Sequence, residues 1–181
     1  MENTKNTPIF AGIKDGETFK IGKYEFIKFP DVDGKTPVVM NGIAFQSVFG
    51  DNNDLRVSTV LKRMQEEILP SIIEVVGAEN VLTFKTDLTT LDGLKPYEDL
   101  ESRISLPTFD FYRVNVEIFD KHNPGAWWWL ATPESAQPHY SPTWALCVSP
   151  SGVIFNGRYD LGFGVRPFLI FNSSIFGSSE E

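Results

Sequence analysis

The chain is short of the residues that most chemistry needs. Its 181 residues include one cysteine, Cys147, and two histidines, His122 and His139. A single thiol excludes an intrachain disulfide, so the fold does not depend on an oxidising compartment. Cys147 lies in the apolar run Trp144-Ala145-Leu146-Cys147-Val148. That run reads as a strand, and its thiol as a core side chain rather than a nucleophile. Neither histidine sits at a metal-ligand spacing, so both read as loop residues and no zinc site is expected. No cofactor is expected either.

Positive charge is also scarce. Lys and Arg total 16 against 24 Asp and Glu, for a net charge of −8 and a sequence pI near 4.8. An acidic surface repels phosphate backbones, which disfavours nucleic acid as a partner and anionic membranes equally. No apolar run approaches the length of a membrane span, so membrane insertion is not expected. The polar start, Met1-Glu-Asn-Thr-Lys-Asn-Thr, lacks the hydrophobic segment of a signal peptide. The expected location is therefore cytoplasmic or in a phage particle.

Catalytic signatures are missing as well. There is no Gly-x-Ser-x-Gly elbow, phosphate loop or dinucleotide fingerprint. Gly162-Phe163-Gly164 is too short to count, and its glycines suit a tight backbone bend. Asp51-Asn52-Asn53-Asp54 falls short of a calcium loop, because Leu55 holds the fifth position and the glycine is absent. It reads as a solvated turn before a helix. Glu66-Glu67 falls on the polar side of that helix and reads as solvated surface.

What the chain has is aromatic: 15 Phe, 5 Tyr and 4 Trp, with 41% hydrophobic residues overall. Such content fills a core and also suits strands and recognition surfaces. Thr18–Ile21 and Tyr24–Phe29 alternate around Gly22-Lys23 and predict a hairpin. Residues 36–49 form a second β-rich stretch with a turn or bulge at Gly42. Ser58 caps a helix whose apolar face runs through Val57, Val60, Leu61, Met64 and Ile68. Pro70 predicts a kink, or a second helix that continues with Ile72, Ile73 and Val76. Short strands are expected at 81–85 and 104–106. A helix at 109–120 follows the Thr108 cap, with Phe111, Val114 and Ile118 on its stripe. The last third is read as strands 127–130, 144–149, 153–156 and 165–171, with Asn156-Gly157 as a turn. The expected fold is one α+β domain over residues 16–172, with a mostly antiparallel sheet, two or three helices and a loop-rich C-terminal third. Residues 1–15 are expected to be flexible or loosely packed, and 173–181 a frayed tail.

Two apolar motifs stand out near the end: Trp127-Trp128-Trp129-Leu130-Ala131-Thr132-Pro133, and Gly164-Val165-Arg166-Pro167-Phe168. They frame the segment 134–163, which is rich in Ser, Pro, His, Tyr, Asn, Gly and Asp. Rigid elements that frame a polar loop segment are the usual way a scaffold presents a binding surface. Strand alternation puts Trp127 and Trp129 on one face and Trp128 on the other. Arg166 lies inside an apolar strand, where a guanidinium needs partners. Hydrogen bonds to loop carbonyls, or an ion pair that pins the segment's end, fit that position better than ligand contact.

The order of these pieces resembles a known pattern. Asn52-Asn53-Asp54-x-x-x-Ser58-x-x-x-Lys62-Arg63 comes first, then Ser102-Arg103-Ile104-Ser105-Leu106-Pro107. The Trp-Trp-Leu-x-x-Pro motif at 128–133, Val148-x-x-x-Gly152-x-Ile154 and Gly164–Phe168 follow. Together they resemble an uncharacterised domain family of gut Firmicutes and their phages, whose members end in "WWLRSP … G … GVRPAL". The ending also looks like the C-type-lectin fold of the formylglycine-generating-enzyme type, which closes with a "GFR" strand. That fold is used by the variable proteins of diversity-generating retroelements, in which adenine-directed mutagenesis rewrites a displayed C-terminal stretch. The chain departs from the family at Ala131, where Arg is usual, and at Phe168, where Ala is usual. It lacks the cysteine pair of the lectin-like oxidase. Gln137-Pro138-His139 is only a partial echo of a calcium-dependent sugar site.

The resemblance implies a C-type-lectin-like, non-enzymatic display domain whose residues 134–163 bind a protein or carbohydrate ligand on a cell surface. The candidate contacts are His139, Tyr140, Thr143, Trp144, Asn156, Arg158, Tyr159, Asp160 and Phe163, supported by Trp128, Trp129 and Arg166. Tyr140, Ser141, Thr143, Asn156, Arg158, Tyr159, Asp160, Leu161 and Phe163 all belong to the set that adenine mutagenesis reaches from an Asn codon. Tyr and His add contact area at low entropic cost. Two alternatives remain: a structural or assembly module of a phage or bacterial surface complex, and a hydrolase using loop carboxylates, which predicts a cleft with a perturbed acid.

Overall fold

Neighbouring residues on one strand enter different cores, and that alternation layers the whole molecule. In the computed structural model, which describes residues 8–136 and 141–177, every residue of strand Trp128–Pro133 (β7) is buried. Trp129 and Ala131 enter one core; Trp128 and Leu130 enter the other. The same split occurs on Lys35–Met40 (β3), where Val38 and Met40 face one core and Val39 the second. A sheet covered on both faces explains why these strands read as continuous apolar runs rather than as alternation.

There are two larger sheets. Thr18–Ile21 (β1), Tyr24–Lys28 (β2), β3 and Phe168–Asn172 (β11) form the first, all antiparallel, in the order β1-β2-β3-β11. Phe45–Ser47 (β4), β7, Trp144–Val148 (β8), Ile154–Arg158 (β9) and Phe163–Val165 (β10) form the second. Its order is β4-β10-β7-β8-β9, antiparallel except where β10 runs parallel to β7. Phe84–Thr86 (β5) and Leu100–Ser102 (β6) make a small hairpin-like pair. The domain is therefore α+β with mostly antiparallel strands, as the sequence predicts.

Helices cover the two cores. Ser58 caps Thr59–Arg63 (α1) by accepting from Leu61 N–H at 2.9 Å. The helix then widens into a π turn over Met64–Ile68, where Leu69 N–H reaches Met64 O, five residues back, before Leu69–Val76 (α2). Pro70 lacks the N–H that would bond Glu66 O, and its ring crowds that carbonyl, so the ladder adjusts there. Met64, Ile68, Ile72 and Val76 line the buried face, whereas Val57 is solvent-exposed and lies outside it. Thr108 caps Phe109–Val114 (α3). Asn115 breaks the helix before Val116–Lys121 (α4). That break re-phases the stripe: Tyr112 and Phe119 are the buried residues, and Val114 points into solvent.

Five more expectations need correction. Asn156-Gly157 is not a turn but the middle of β9, paired with Leu146 and Ala145. The strand expected over 165–171 is two strands in different sheets, with Arg166-Pro167 as the crossover. The strand expected at 104–106 lies at 100–102, although Ser105 does bridge to Phe168. The first residues of the expected frayed tail form a 3-10 turn, Ser173–Phe176, whose Ile175 and Phe176 are buried. Phe176 packs on Phe19 and on Phe10, so residue 10 of the expected loose N-terminus also joins the core.

Candidate functional site

The crossover explains the Gly-Val-Arg-Pro motif. A Cβ on Gly164 would lie 2.9 Å from Trp127 O and 2.5 Å from Ile43 Cδ1, so only glycine lets β10 meet β7 there. Val165 is core. Arg166 is fully buried and spans the gap between the sheets. Its Nε donates to Met40 O at 3.1 Å, and Nη2 reaches His122 O at 3.4 Å. Its guanidinium carbon lies 4.7 Å from the Trp128 ring centre and 5.8 Å from that of Phe119. Burial lowers its pKa to about 10, which still leaves it charged near neutrality. Two planar ring faces and two carbonyls thus replace water around the cation. Arg166 thus has a structural role, but its acceptors are the carbonyl that ends β3 and the one that follows α4, not carbonyls of residues 134–163. Arg166 Nη1 and Trp128 Nε1 have no hydrogen-bond partner among the described residues.

Trp129 anchors the opposite face. Its Nε1 donates to Ser47 O at 3.0 Å, tying β7 to β4. Phe49 packs against it edge-on, and Phe163 lies 4.6 Å away, centre to centre. Phe163 in turn stacks on Trp127 at 5.3 Å and 17°. Trp127 and Trp129 therefore share a face, with Trp128 on the other, as alternation requires. Trp127 is 36% exposed and meets Phe155, which is 51% exposed. Gly157 makes room for this stack: a Cβ there would sit 2.5 Å from Phe163 and 2.9 Å from Trp129.

Most candidate contact residues come together at one end of the second sheet. Trp144 pairs with Arg158, and Tyr159 N–H donates to Thr143 O at 3.0 Å. Phe49 N–H donates to Tyr159 O at 2.8 Å, which fixes the far side of the turn. Arg158 pairs with Asp160 at 3.0 Å, and its guanidinium lies 5.6 Å from the Tyr159 ring centre. Both charged side chains are about half exposed, so this pair adds little to stability. Asn156 is exposed, and its amide donates to Glu134 Oε1. Thr143, Trp144, Tyr159 and Phe163 are half-buried. Strand alternation divides these candidates between two faces: Tyr159 and Phe163 pack on the Trp129 side, whereas Trp144, Asn156 and Arg158 follow Leu146 and Val148 on the Trp128 side. His139 and Tyr140 lie outside the described residues.

Sequence reasoning missed the residue that ties this surface down. Asn53, read as part of a solvated turn, is fully buried. Its Nδ2 donates to Ser135 O and to Trp144 O, each at 3.0 Å, and its Oδ1 accepts from Tyr97 Oη at 2.6 Å. Asn53 N–H also donates to Pro142 O at 3.0 Å. One side chain therefore holds both flanks of residues 137–140. Asp54 beside it is also buried, accepts from Arg56, and caps the short turn that follows. A polar Asn-Asn-Asp run gives no sign of burial, and only the fold brings Tyr97 and Ser135 to it. Burial raises the Tyr97 pKa, and nearby Asp54 adds to the effect, so Tyr97 stays protonated and able to donate.

A 310 Å³ cleft next to the end of β7 is lined by Asp87, Thr90, Phe109, Asp110, Arg113 and Thr132 among others. Thr89 bonds hold the Asp87 carboxylate below its ordinary range. Among the described residues no His, Cys, Asp and Glu cluster has metal-ligand geometry, and no helix is long and apolar enough to cross a membrane. Burial pushes the Cys147 thiol up to about 12. Compared with protein-family models, curated proteins and solved structures, the chain finds no match in any of the three.

Proposed function

We propose that the chain is a C-type-lectin-like display domain that binds a protein or carbohydrate ligand, without turnover, through the surface carried by residues 134–163. The observation that carries this reading is the contrast between backbone and side chains in that segment. The backbone of its described residues is fixed by the β8–β9 ladder, by Asn53 and by Phe49. The side chains of Asn156 and Arg158 are exposed on the face that Trp144 shares, Asp160 is exposed in the turn that follows, and Tyr159 and Phe163 are half-buried on the opposite face. Substitutions on such a surface change recognition without disturbing the frame, which is what a variable protein of a diversity-generating retroelement requires. The departures at Ala131 and Phe168 do not disturb this reading. Both side chains are packed in core, away from the proposed contacts.

Sequencing the genomic locus tests the diversification. The expected result is a near-copy of the DNA encoding residues 127–168, differing at adenines, beside a reverse-transcriptase gene. A locus without any such copy would leave a fixed binding module and contradict diversification.

A second reading, a structural or assembly module, has one observation in its favour: Val153, Phe155 and Leu161 are exposed apolar side chains on or next to strand β9.

A further inference from the structure

Among the described residues, the second sheet is closed at one edge and open at the other. At the β4 edge, Arg63 donates to Gln46 O at 3.0 Å, and its guanidinium lies 4.0 Å from the Phe45 ring centre. A cation from α1 thus blocks that edge, a common protection against edge-to-edge pairing. In the first sheet, β11 is covered on its outer side by bridges from Val81 and Ser105. The β9 edge has no such cover: β9 ends the sheet order, and no described strand pairs with its outer side.

The register tells which groups that edge offers. Ser149 N–H donates to Val153 O at 2.8 Å, and Tyr159 N–H donates to Thr143 O at 3.0 Å. Both pairs are in line with the β8–β9 register. Residues 153, 155, 157 and 159 therefore direct their backbone groups inward, toward β8. In an antiparallel ladder the residues between them direct theirs outward. Ile154, Asn156 and Arg158 thus present N–H and C=O groups to the open side, except that Arg158 O accepts from Leu161 N–H.

We propose that this edge pairs with β9 of a second copy of the chain, antiparallel about a two-fold axis through Asn156. The strand is self-complementary in that register. Asn156 meets Asn156 of the second copy and exchanges both backbone hydrogen bonds. Ile154 meets Arg158. Phe155 meets Gly157, so the largest side chain on the strand faces the position that has none. The Gly157 site is roofed by Phe163 and Trp129. An incoming Phe155 ring therefore finds an aromatic rim, a favourable cross-strand arrangement. Val153 meets Tyr159. The exposed apolar side chains Trp127, Val153 and Phe155 would all be covered, which a five-residue ladder needs to become a stable interface. An isologous two-fold contact closes on itself and leaves no edge to propagate fibres. The turn at residues 160–162 lies beyond the paired residues of each copy, so Asp160 and Leu161 stay available at both ends of the shared ladder, whereas the proposed contacts Asn156, Arg158 and Tyr159 lie within it and are reached only from the faces of the sheet.

Arg158 is neutralised by Asp160 of its own copy. The Asn156 amide is uncharged and holds the Glu134 carboxylate, so the two copies bring like charges near the axis. The net charge of −8 makes association stronger at higher salt, because the chains repel as wholes.

Engineered cysteines read the register directly. The native Cys147 is buried, so an added surface thiol is the reactive one. In Asn156→Cys the two Cα atoms would lie about 5.5 Å apart across the axis, inside the range that a disulfide spans. In Arg158→Cys the two thiols would be offset by four positions, about 13 Å along the strands, and would not join. The expected result has three parts. Sedimentation equilibrium of the native chain gives twice its 20.4 kDa mass. Mild oxidation links Asn156→Cys rapidly, and Arg158→Cys slowly or not at all. Phe155→Lys sediments as a monomer with an unchanged thermal melting curve. A native chain that stays monomeric across the concentration range would overturn the proposal. So would a dimer that keeps its mass with Phe155→Lys and links equally at both cysteine positions. Ligand binding enters none of these readouts, so their failure leaves the binding reading untouched.

Discussion

At the residue scale, Asn53, Arg166, Gly157 and Asp160 each have a distinct expected cost when changed. Asn53→Asp keeps the volume but turns a double donor into an acceptor that faces Ser135 O and Trp144 O. We expect a loss of about 2–3 kcal/mol, measured by denaturant unfolding, with new protease cleavage near residues 135–142. An unchanged midpoint would show that Asn53 does not hold the segment. Arg166→Lys removes the planar fork that bonds Met40 O and stacks on Trp128. A point charge cannot reproduce both contacts, so the expected loss is again about 2 kcal/mol or more. Gly157→Ala forces the rings of Phe163 and Trp129 apart at a cost of about 1–3 kcal/mol and shifts the intrinsic tryptophan fluorescence. Asp160→Ala, by contrast, removes one half of an exposed pair and should change stability by no more than about 0.5 kcal/mol. That makes Asp160→Ala the cleaner probe of ligand contact. Tyr159 is half-buried and packs against the core, so truncating it tests packing as well as recognition.

Cys147 gives a prediction with a pH sign. Burial raises its folded pKa to about 12, above the roughly 8.5 of a free thiol. The unfolded chain therefore loses this proton first. Stability associated with the neutral thiol is complete below about pH 8.5 and is lost as pH rises toward 12. At pH 8 the thiol should resist alkylation in the native chain and react at once in denaturant. Rapid labelling of the native chain would contradict its placement in the core.

At the element scale, what the sequence makes legible is what local chemistry decides. The β1–β2 hairpin, the Ser58 cap and the interruption at Pro70 each follow from a few adjacent residues, and each is present. Ser58→Ala should cost about 1 kcal/mol, read as a lower melting temperature. A melting curve unchanged by it would mean that the cap carries no stability. Elements whose course depends on distant partners are less legible. Asn156-Gly157 has turn chemistry, but Gly157 is there because Trp129 and Phe163 fill the space of its Cβ. The run 165–171 looks like one strand because both of its sheets are apolar, and nothing local marks the change of sheet at Arg166-Pro167. Val114 and Val57 fit a helical stripe by spacing, yet a break at Asn115 and a start at Thr59 put them outside. Asn53 was invisible for a related reason: its partners are Tyr97, Ser135 and Trp144, far away along the chain.

At the scale of the whole molecule, the sheets and helices serve one geometric end. β3 pairs with β11, so an early and a late part of the chain close one sheet. The Arg166-Pro167 crossover locks that sheet to the second, which carries the candidate surface on its β8–β9 end. Burial is concentrated in Trp128, Trp129, Gly164 and Arg166. Exposure is concentrated in Asn156, Arg158, Asp160 and Leu161. A display domain needs that separation, and an assembly module would use the same open edge at β9. The most direct test of a displayed surface on this frame is a saturation-mutagenesis scan of residues 127–168, with folding scored by resistance of the chain to protease. Asn156, Arg158, Asp160 and Leu161 should accept nearly every amino acid, whereas Trp129, Gly157, Gly164 and Arg166 should accept almost none. If the two groups prove equally intolerant, the segment is part of the framework and not a displayed surface.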